Sequence, residues 1–201
     1  SVLDHWINYK ERFFYKNEYI LPDQIWVSDK LAEKLAIQEF PNIPIELLPN
    51  IWMENIKFSV KSLRSKYPRN SPGLNIVYFL EPIRKQWSSK YKESGEFIAI
   101  RYFFDNLHII QKLNNINNSE LLNLRFRLHP SENKEKYITF IDDFELLFDV
   151  YFSESSSLEE DLAWADIAFG IETQALVVAM ECGIRAFSTK PKWAGKSLLP
   201  H

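Results

Sequence analysis

The sequence has one cysteine, no excess of basic residues and no long apolar run, and each shortage excludes a class of protein. Cys182 alone cannot form an internal disulfide framework or a cysteine-based zinc site. The 24 lysines and arginines are outnumbered by 27 acidic residues, so the net charge of −3 argues against a broad nucleic-acid-binding surface. No apolar run reaches the roughly 18 residues of a membrane span. We therefore predict no transmembrane segment. The single cysteine is compatible with a cytoplasmic protein, for which peripheral contact with a membrane is still allowed.

Only five glycines are present, and the glycine-dependent ligand motifs are absent with them. There is no G-x-G-x-x-G fingerprint, no Walker A loop and no G-x-S-x-G elbow, so dinucleotide binding, P-loop chemistry and the hydrolase nucleophile lose their usual support. No spacing of cysteine and histidine suggests a set of metal ligands. The sequence therefore predicts neither a bound metal nor a cofactor.

Apolar segments alternate with amphipathic helical segments along the chain. Residues 74–80 form the most strand-like run, and consecutive apolar side chains of this kind are typical of a central parallel strand that is buried on both faces. Residues 96–113 carry the apolar stripe of one long helix. Further strands are predicted at 122–128, 167–169 and 184–188. This alternation predicts an α/β domain with a Rossmann-like parallel sheet and helices on both faces.

The first third of the chain repeats the pattern on a smaller scale. Trp6, Tyr9 and Phe13 share helical spacing, which predicts an amphipathic helix over residues 2–19. A strand, a helix and a second strand follow at 25–48. The segment at 66–73, with two prolines and a glycine, predicts a boundary. We therefore predict a partial N-terminal α/β subdomain over residues 1–70 and a Rossmann-like ligand-binding domain over 71–201. Because the chain begins without methionine and inside an aromatic-rich segment, we expect it to be a fragment of a longer protein.

A polar cluster follows the strand at 122–128. Pro130 disfavours a helix at the preceding residue and breaks a strand ladder, so His129 is presented where the strand gives way to a loop. An imidazole there can donate to a phosphate or act as an acid near neutral pH. Four neighbouring residues are predicted to contact the ligand as well: Arg127, Pro130, Ser131 and Glu132. The alternative is that His129 only bonds a neighbouring backbone carbonyl.

A second polar cluster follows the strand at 167–169. Gly170 lets the backbone approach a ligand closely, and Thr173 can present its hydroxyl beside the free N–H groups of the next helix. These features predict an anion site suited to a pyrophosphate or a sugar phosphate. Glu172 is expected to face a hydroxyl, an arginine or backbone N–H groups, because a carboxylate repels phosphate. Ser155, in a serine-rich loop, is predicted to bind the edge of a base or ribose; the alternatives are an N-cap role for Thr173 and a plain polar loop around Ser155.

Three motifs together resemble those of the nucleotide-sugar-binding half of GT-B glycosyltransferases. They are Arg-x-His-Pro-x-Glu at 127–132, Gly-x-Glu-Thr-x-x-Leu at 170–176 and Ala-x-x-x-Gly at 179–183. The nearest similarity is to bacterial enzymes of surface-polysaccharide synthesis, including sialyltransferase-like and Kdo-transferase-like enzymes. The resemblance implies that His129 stabilises the departing nucleotide phosphate and that Thr173 holds the same phosphate. Residues 177–179 depart from the family, many members of which carry a ribose-binding glutamate there.

The resemblance implies an enzyme that transfers a sugar from a nucleotide-sugar donor to a saccharide acceptor at the cell surface, without a metal. A non-hydrolysing nucleotide-sugar epimerase shares the fold and is the alternative enzyme. A non-catalytic α/β binding module is the alternative from another class of protein.

Overall fold

The computed structural model describes residues 2–3, 9–66, 73–83, 87, 93–114, 122–145 and 149–197 of the chain. The chain divides into two compact units, one formed by residues up to Asn55 and the other by Ile56–Ser197. Most of the segment at 66–73, where the sequence predicts a boundary, lies outside the described residues. None of the helices described is both long and apolar enough to cross a bilayer.

A small parallel sheet organises the first unit. In chain order its elements are β1 (Val2–Leu3), α1 (Tyr9–Arg12), β2 (Phe14–Tyr15), β3 (Glu18–Tyr19), β4 (Ile25–Val27), α2 (Lys30–Glu39) and β5 (Ile45–Leu47). Strands β1, β4 and β5 pair in parallel in that order. Asp29 caps α2, because its side chain accepts a hydrogen bond from the N–H of Ala32 at 2.8 Å. Ile25 and Val27 of β4 pack against Ala32 and Ala36 of α2, so this unit has a core of its own.

The segment at 2–19 is not the single helix that its aromatic spacing predicts. The four-residue helix α1 is followed by a hairpin in which Phe14 pairs with Tyr19. Lys16 and Asn17 turn the chain with φ values of 48° and 67°, which are the left-handed values that a tight two-residue hairpin turn requires. This local turn chemistry ends the helix, and it leaves no mark on the hydrophobic period.

Five parallel strands of the described chain form the sheet of the second unit. They are β6 (Leu74–Phe79), β7 (Leu122–Arg127), β8 (Asp149–Phe152), β9 (Ile167–Gly170) and β10 (Arg185–Ser188). They pair in the order β10-β9-β6-β7-β8, which is the 3-2-1-4-5 order of the Rossmann fold. The central strand β6 is buried along its whole length, as its apolar run predicts. The predicted fold class, an α/β protein with a Rossmann-like parallel sheet, is confirmed.

Helices cover both faces of this sheet. They are α3 (Ile51–Lys66), α4 (Gly95–Asp105), α5 (Leu107–Leu113), α6 (Glu135–Glu145), α7 (Leu158–Trp164) and α8 (Gln174–Glu181), and the division between the two units lies within α3. On one face, Phe126 of β7 packs with Phe104 of α4 and Tyr137 of α6 in the main core. On the opposite face, Arg125 of β7 reaches Asp161 of α7. The two faces of β7 therefore contact different helices and have different chemistry, one apolar and one charged.

The long helix predicted at 96–113 is in fact two helices, α4 and α5, which meet at Asn106. The side-chain amide of Asn106 donates to the carbonyl oxygen of Tyr102 at 2.7 Å. A local side-chain bond of this kind competes with the regular helical pattern. Phe103 and Leu107 lie on either side of the break and still share one core. The hydrophobic period therefore identified the buried face correctly and missed the break.

Helix α8 ends in a Schellman motif, which needs a residue in the left-handed conformation. Gly183 has a φ of 74°; its N–H donates to the carbonyl of Met180, and the N–H of Ile184 donates to that of Ala179, both at 2.9 Å.

We expect Gly183→Ala to lower the free energy of unfolding by about 1–2 kcal/mol, because a Cβ is unfavourable at this φ. No atom lies within 4 Å of the new Cβ, so the cost is conformational. Urea unfolding measures this loss of stability. Gly183→Asn should lose less stability than Gly183→Ala, because asparagine tolerates the left-handed conformation. Equal losses in the two variants would contradict a conformational role for Gly183.

Candidate functional site

The strand order reverses between β6 and β9, and open α/β sheets bind ligands beyond the carboxyl ends of the strands at such a reversal. The register pairs Phe79 with Arg127 across β6 and β7, and Tyr78 with Phe169 across β6 and β9. The three strands therefore end at nearly the same level. Since neighbouring strands lie about 4.8 Å apart, the ends of β7 and β9 are roughly 10 Å apart. The loops that follow β7 and β9 leave the sheet at one edge, on either side of β6.

The loop after β7 presents an exposed imidazole. The N–H of Ser131 donates to Nδ1 of His129 at 3.2 Å, and the Ser131 hydroxyl lies 2.8 Å from the same nitrogen. Because a backbone N–H can only donate, Nδ1 is an acceptor, and the neutral ring carries its proton on Nε2. His129, Pro130 and Ser131 are all exposed. The N–H of Nε2 is therefore the group that His129 can offer to a ligand.

Glu132 ties this loop to two helices rather than facing solvent. Its side chain is 5% exposed and accepts hydrogen bonds from Lys136 and from the hydroxyl of Tyr137, the latter at 2.9 Å. Lys136 Nζ also lies 2.9 Å from Oε1 of the buried Glu96 on α4. Burial lowers the pKa of Lys136, but its hydrogen bonds to Glu132 and Glu96 outweigh burial, and the pKa is raised overall. Glu132 thus positions the His129 loop against α4 and α6.

A fully buried carboxylate, Asp161 of α7, holds the arginines of β7. Nη1 of Arg127 lies 2.5 Å from Oδ2 of Asp161, and Nη1 of Arg125 lies 2.9 Å from Oδ1. The hydroxyl of Ser153 donates to the same carboxylate at 2.7 Å. The carbonyl of Ser155 accepts a longer bond from Arg127 at 3.4 Å, so these two predicted site residues do meet. Arg125 and Arg127 thus share a single buried carboxylate, which neutralises one of their two positive charges.

A carboxyl group of the protein itself accepts from the N–H groups of the turn that precedes α8. Glu81, two residues beyond β6, accepts from the N–H of Ile171 at 3.0 Å and from the N–H of Glu172 at 2.8 Å. Thr173 is the N-cap of α8, since its hydroxyl oxygen accepts from the N–H of Ala175 at 3.3 Å. The structure therefore places a carboxyl group of the protein, that of Glu81, in the turn where the sequence predicts an anion site.

Gly170 and Glu172 have identifiable contacts in the same turn. A Cβ at Gly170 would lie 3.3 Å from the carbonyl oxygen of Phe79, so the glycine allows β9 to pass close to β6. The Glu172 carboxylate lies 2.9 Å from Nζ of Lys190, which follows β10. The sequence predicts a hydroxyl, an arginine or N–H groups beside Glu172, and Lys190 is one partner that the structure gives this carboxylate.

Glu81 is only 8% exposed, and its environment favours the protonated form. Burial raises the pKa of Glu81 to about 7, although bonds from the N–H groups of Glu172, Ile171 and Thr173 oppose the rise. The nearby negative charge of Glu172 adds to it. Glu81 therefore exchanges its proton in the neutral pH range, whereas an ordinary glutamate is ionised there.

We expect Glu81 to make the protein less stable as the pH rises from about 4.5 to about 7. The folded pKa of about 7 exceeds the ordinary value of 4.5, so the folded state binds more protons between these values. The free energy of unfolding then falls with rising pH, by up to about 3 kcal/mol in total for a shift of this size. Urea unfolding at a series of pH values should show this fall in the wild type and a flatter profile in Glu81→Gln. Parallel profiles for the two proteins would contradict the assignment.

Two tryptophans lie beyond the same edge of the sheet. Trp87 follows β6 and Trp193 follows β10, and their ring centroids are 6.5 Å apart in an edge-to-face arrangement. Half of the Trp193 side chain is exposed. The ring of Trp87 lies over Gly95 at the start of α4, where an added Cβ would come within 2.6 Å of it. Aromatic faces at this position are suited to stacking on a sugar or a base.

Sequence reasoning missed three groups at this edge, namely Asp161, Glu81 and the tryptophan pair. Two of them left a signal in the sequence: two arginines share one side of 122–128, where a carboxylate partner is favoured if that side is covered, and Glu81 directly follows the most apolar strand. No protein-family model matches the chain, and comparison with curated proteins finds no significant match. The function is therefore inferred from the site and from the motifs that lie in it.

Proposed function

We propose that this chain is the nucleotide-sugar-binding half of a GT-B glycosyltransferase, which transfers a sugar from a nucleotide donor to a cell-surface saccharide without a metal. One observation carries the proposal: the exposed His129 loop and the head of α8 follow strands on either side of β6, at the reversal of strand order. The motifs at 127–132 and 170–176, which lie in these two loops, resemble those that bind the phosphate of a nucleotide sugar, and this supports a nucleotide-sugar ligand. Such an enzyme would act in the cytoplasm, in peripheral contact with the inner membrane.

In the proposed reaction, a hydroxyl of the acceptor attacks the anomeric carbon of the donor sugar. The bond from that carbon to the phosphate oxygen breaks, and the oxygen leaves with the electron pair. The N–H of Nε2 on His129 donates to the phosphate and stabilises this charge. Ser131 holds Nδ1 of the ring and so orients the donor group. The proton of the acceptor hydroxyl passes to a base, which the resemblance assigns to the acceptor-binding domain.

The remaining predicted contacts have different roles in this proposal. Glu132 holds the His129 loop in place through Lys136 and Tyr137, and Arg127 is held by Asp161, so both act on the ligand through other groups. Two groups are left to contact the donor directly besides His129. They are the Thr173 end of α8 and the faces of Trp87 and Trp193.

Calorimetry with CMP-, UDP- and GDP-sugars tests the proposal. We expect a folded sample to bind the sugars of one of these nucleotides in a saturable way. The bound donor is then incubated with the protein and followed by NMR. Release of the nucleotide with transfer or hydrolysis of the sugar supports the glycosyltransferase, whereas inversion at a ring carbon without release identifies the epimerase. No binding by a folded sample would overturn the proposal and favour a non-catalytic module.

A further inference from the structure

Glu81 accepts hydrogen bonds from N–H groups in the turn before α8, which is the turn that the proposed function assigns to the ligand phosphate. We propose that Glu81 is an internal anion that competes with the ligand phosphate for the N–H groups of Ile171 and Glu172, so that the ligand binds most tightly when Glu81 carries a proton. The inference rests on the proposed function, because it concerns the same phosphate site.

The geometry of the contact supports this competition. Oε1 of Glu81 accepts from two successive N–H groups, those of Ile171 at 3.0 Å and Glu172 at 2.8 Å, and Oε2 lies 3.2 Å from the second. These N–H groups belong to the turn that directly precedes the N-cap Thr173, so they lie close to the end of α8 that attracts negative charge. A phosphate that used the same donors would lie in contact with the carboxylate. Two negative charges in one buried position repel strongly, so either Glu81 is neutralised or it moves away.

The charged and titratable groups around Glu81 are either paired or neutral, so Glu81 is the group whose protonation is expected to change at the phosphate site. The carboxylate of Glu172 acts on Glu81 electrostatically, and it is itself paired with Lys190 at 2.9 Å. On β6, the phenol of Tyr78 bonds Thr189 at 2.8 Å, and burial raises the pKa of Tyr78, so it stays neutral at physiological pH. The pKa of Glu81, which burial raises to about 7, lets a neutral carboxyl form without strongly acidic conditions.

Sulfate is a suitable first probe, because it resembles phosphate in shape and does not titrate near neutral pH. If only the form with neutral Glu81 binds, the dissociation constant for sulfate should rise about tenfold between pH 6 and pH 8, as the competent fraction falls. In Glu81→Gln the binding should be tighter than in the wild type at pH 8. The slope of the wild type should also be absent from Glu81→Gln.

A matched control is Glu93→Gln, which removes a carboxylate that is exposed and paired with Arg101. This variant should keep the slope of the wild type. A second measurement needs no variant: calorimetry of the wild type in two buffers with different ionisation enthalpies reports proton uptake. We expect uptake approaching one proton per bound sulfate or nucleotide sugar at pH 8, where Glu81 is ionised in the free protein.

The outcomes separate this inference from the proposed function. Wild type and Glu81→Gln with the same slope, or binding without proton uptake, would overturn the role of Glu81. If a nucleotide sugar still binds under those conditions, the proposed function stands. No binding of sulfate or of any nucleotide sugar by the folded protein would overturn both.

Discussion

Replacing Asp161 with alanine is expected to lower the free energy of unfolding by about 3–5 kcal/mol. The carboxylate is fully buried and accepts bonds from Arg125, Arg127 and Ser153. The two arginine side chains are only 17% and 24% exposed, so water cannot replace the lost partner fully. Arg125 is held further by Trp164, whose ring centroid lies 3.9 Å from its guanidinium carbon. The alanine variant therefore leaves two confined positive charges without their common anion.

Urea unfolding followed by circular dichroism measures this loss. Asp142→Ala is the matched control, because Asp142 is exposed on α6 and its removal should change stability by less than about 0.5 kcal/mol. Asp161→Asn keeps the shape of the side chain and removes the charge, so its loss of stability should lie between those of the control and the alanine variant. A loss below about 1 kcal/mol for Asp161→Ala would show that the network contributes little to stability.

Replacing His129 with alanine is expected to weaken binding of the nucleotide sugar by about 10- to 100-fold, the effect of losing one hydrogen bond to a charged group. The ring is exposed, and its Nδ1 is already held by Ser131, so the variant removes one donor without opening the core. The loss in turnover should exceed the loss in affinity, because the same bond becomes stronger as charge develops on the departing phosphate. Stability should change little.

His108→Ala provides the control, since His108 is a second exposed histidine, on α5. We expect it to bind and turn over the donor like the wild type. His129→Gln retains an N–H donor on a neutral side chain and should recover part of the affinity. Equal affinities for the two alanine variants would contradict the phosphate contact proposed for His129.

The strand arrangement could be predicted because burial leaves a clear signature in the sequence. The apolar run at 74–80 is the central strand β6, and the alternation at 122–128 correctly separated Phe126, which packs in the core, from Arg127, which does not. The hairpin at 14–19 and the break at Asn106 depend on single turn-forming residues. Such local choices do not alter the hydrophobic period, so the period could not reveal them.

The polar residues of the site were harder to interpret than its backbone. The sequence indicates which side chains follow the strand ends, and the structure confirms that the strands concerned end at one edge. The sequence does not indicate which charged side chains pair with each other. The partner of Arg127 lies 34 residues along the chain, and Glu81 accepts from an N–H group 90 residues away. Those pairings depend on the order of the strands in the sheet, which the sequence does not state.

Amide NMR spectra recorded during titration with the nucleotide sugar test most directly whether the loops after β7 and β9 bind one phosphate. We predict that the signals of His129 and Ser131 shift together with those of residues 170–175, and that both groups follow the same dissociation constant. Shifts confined to one loop, or two groups that saturate at different concentrations, would contradict a shared phosphate site.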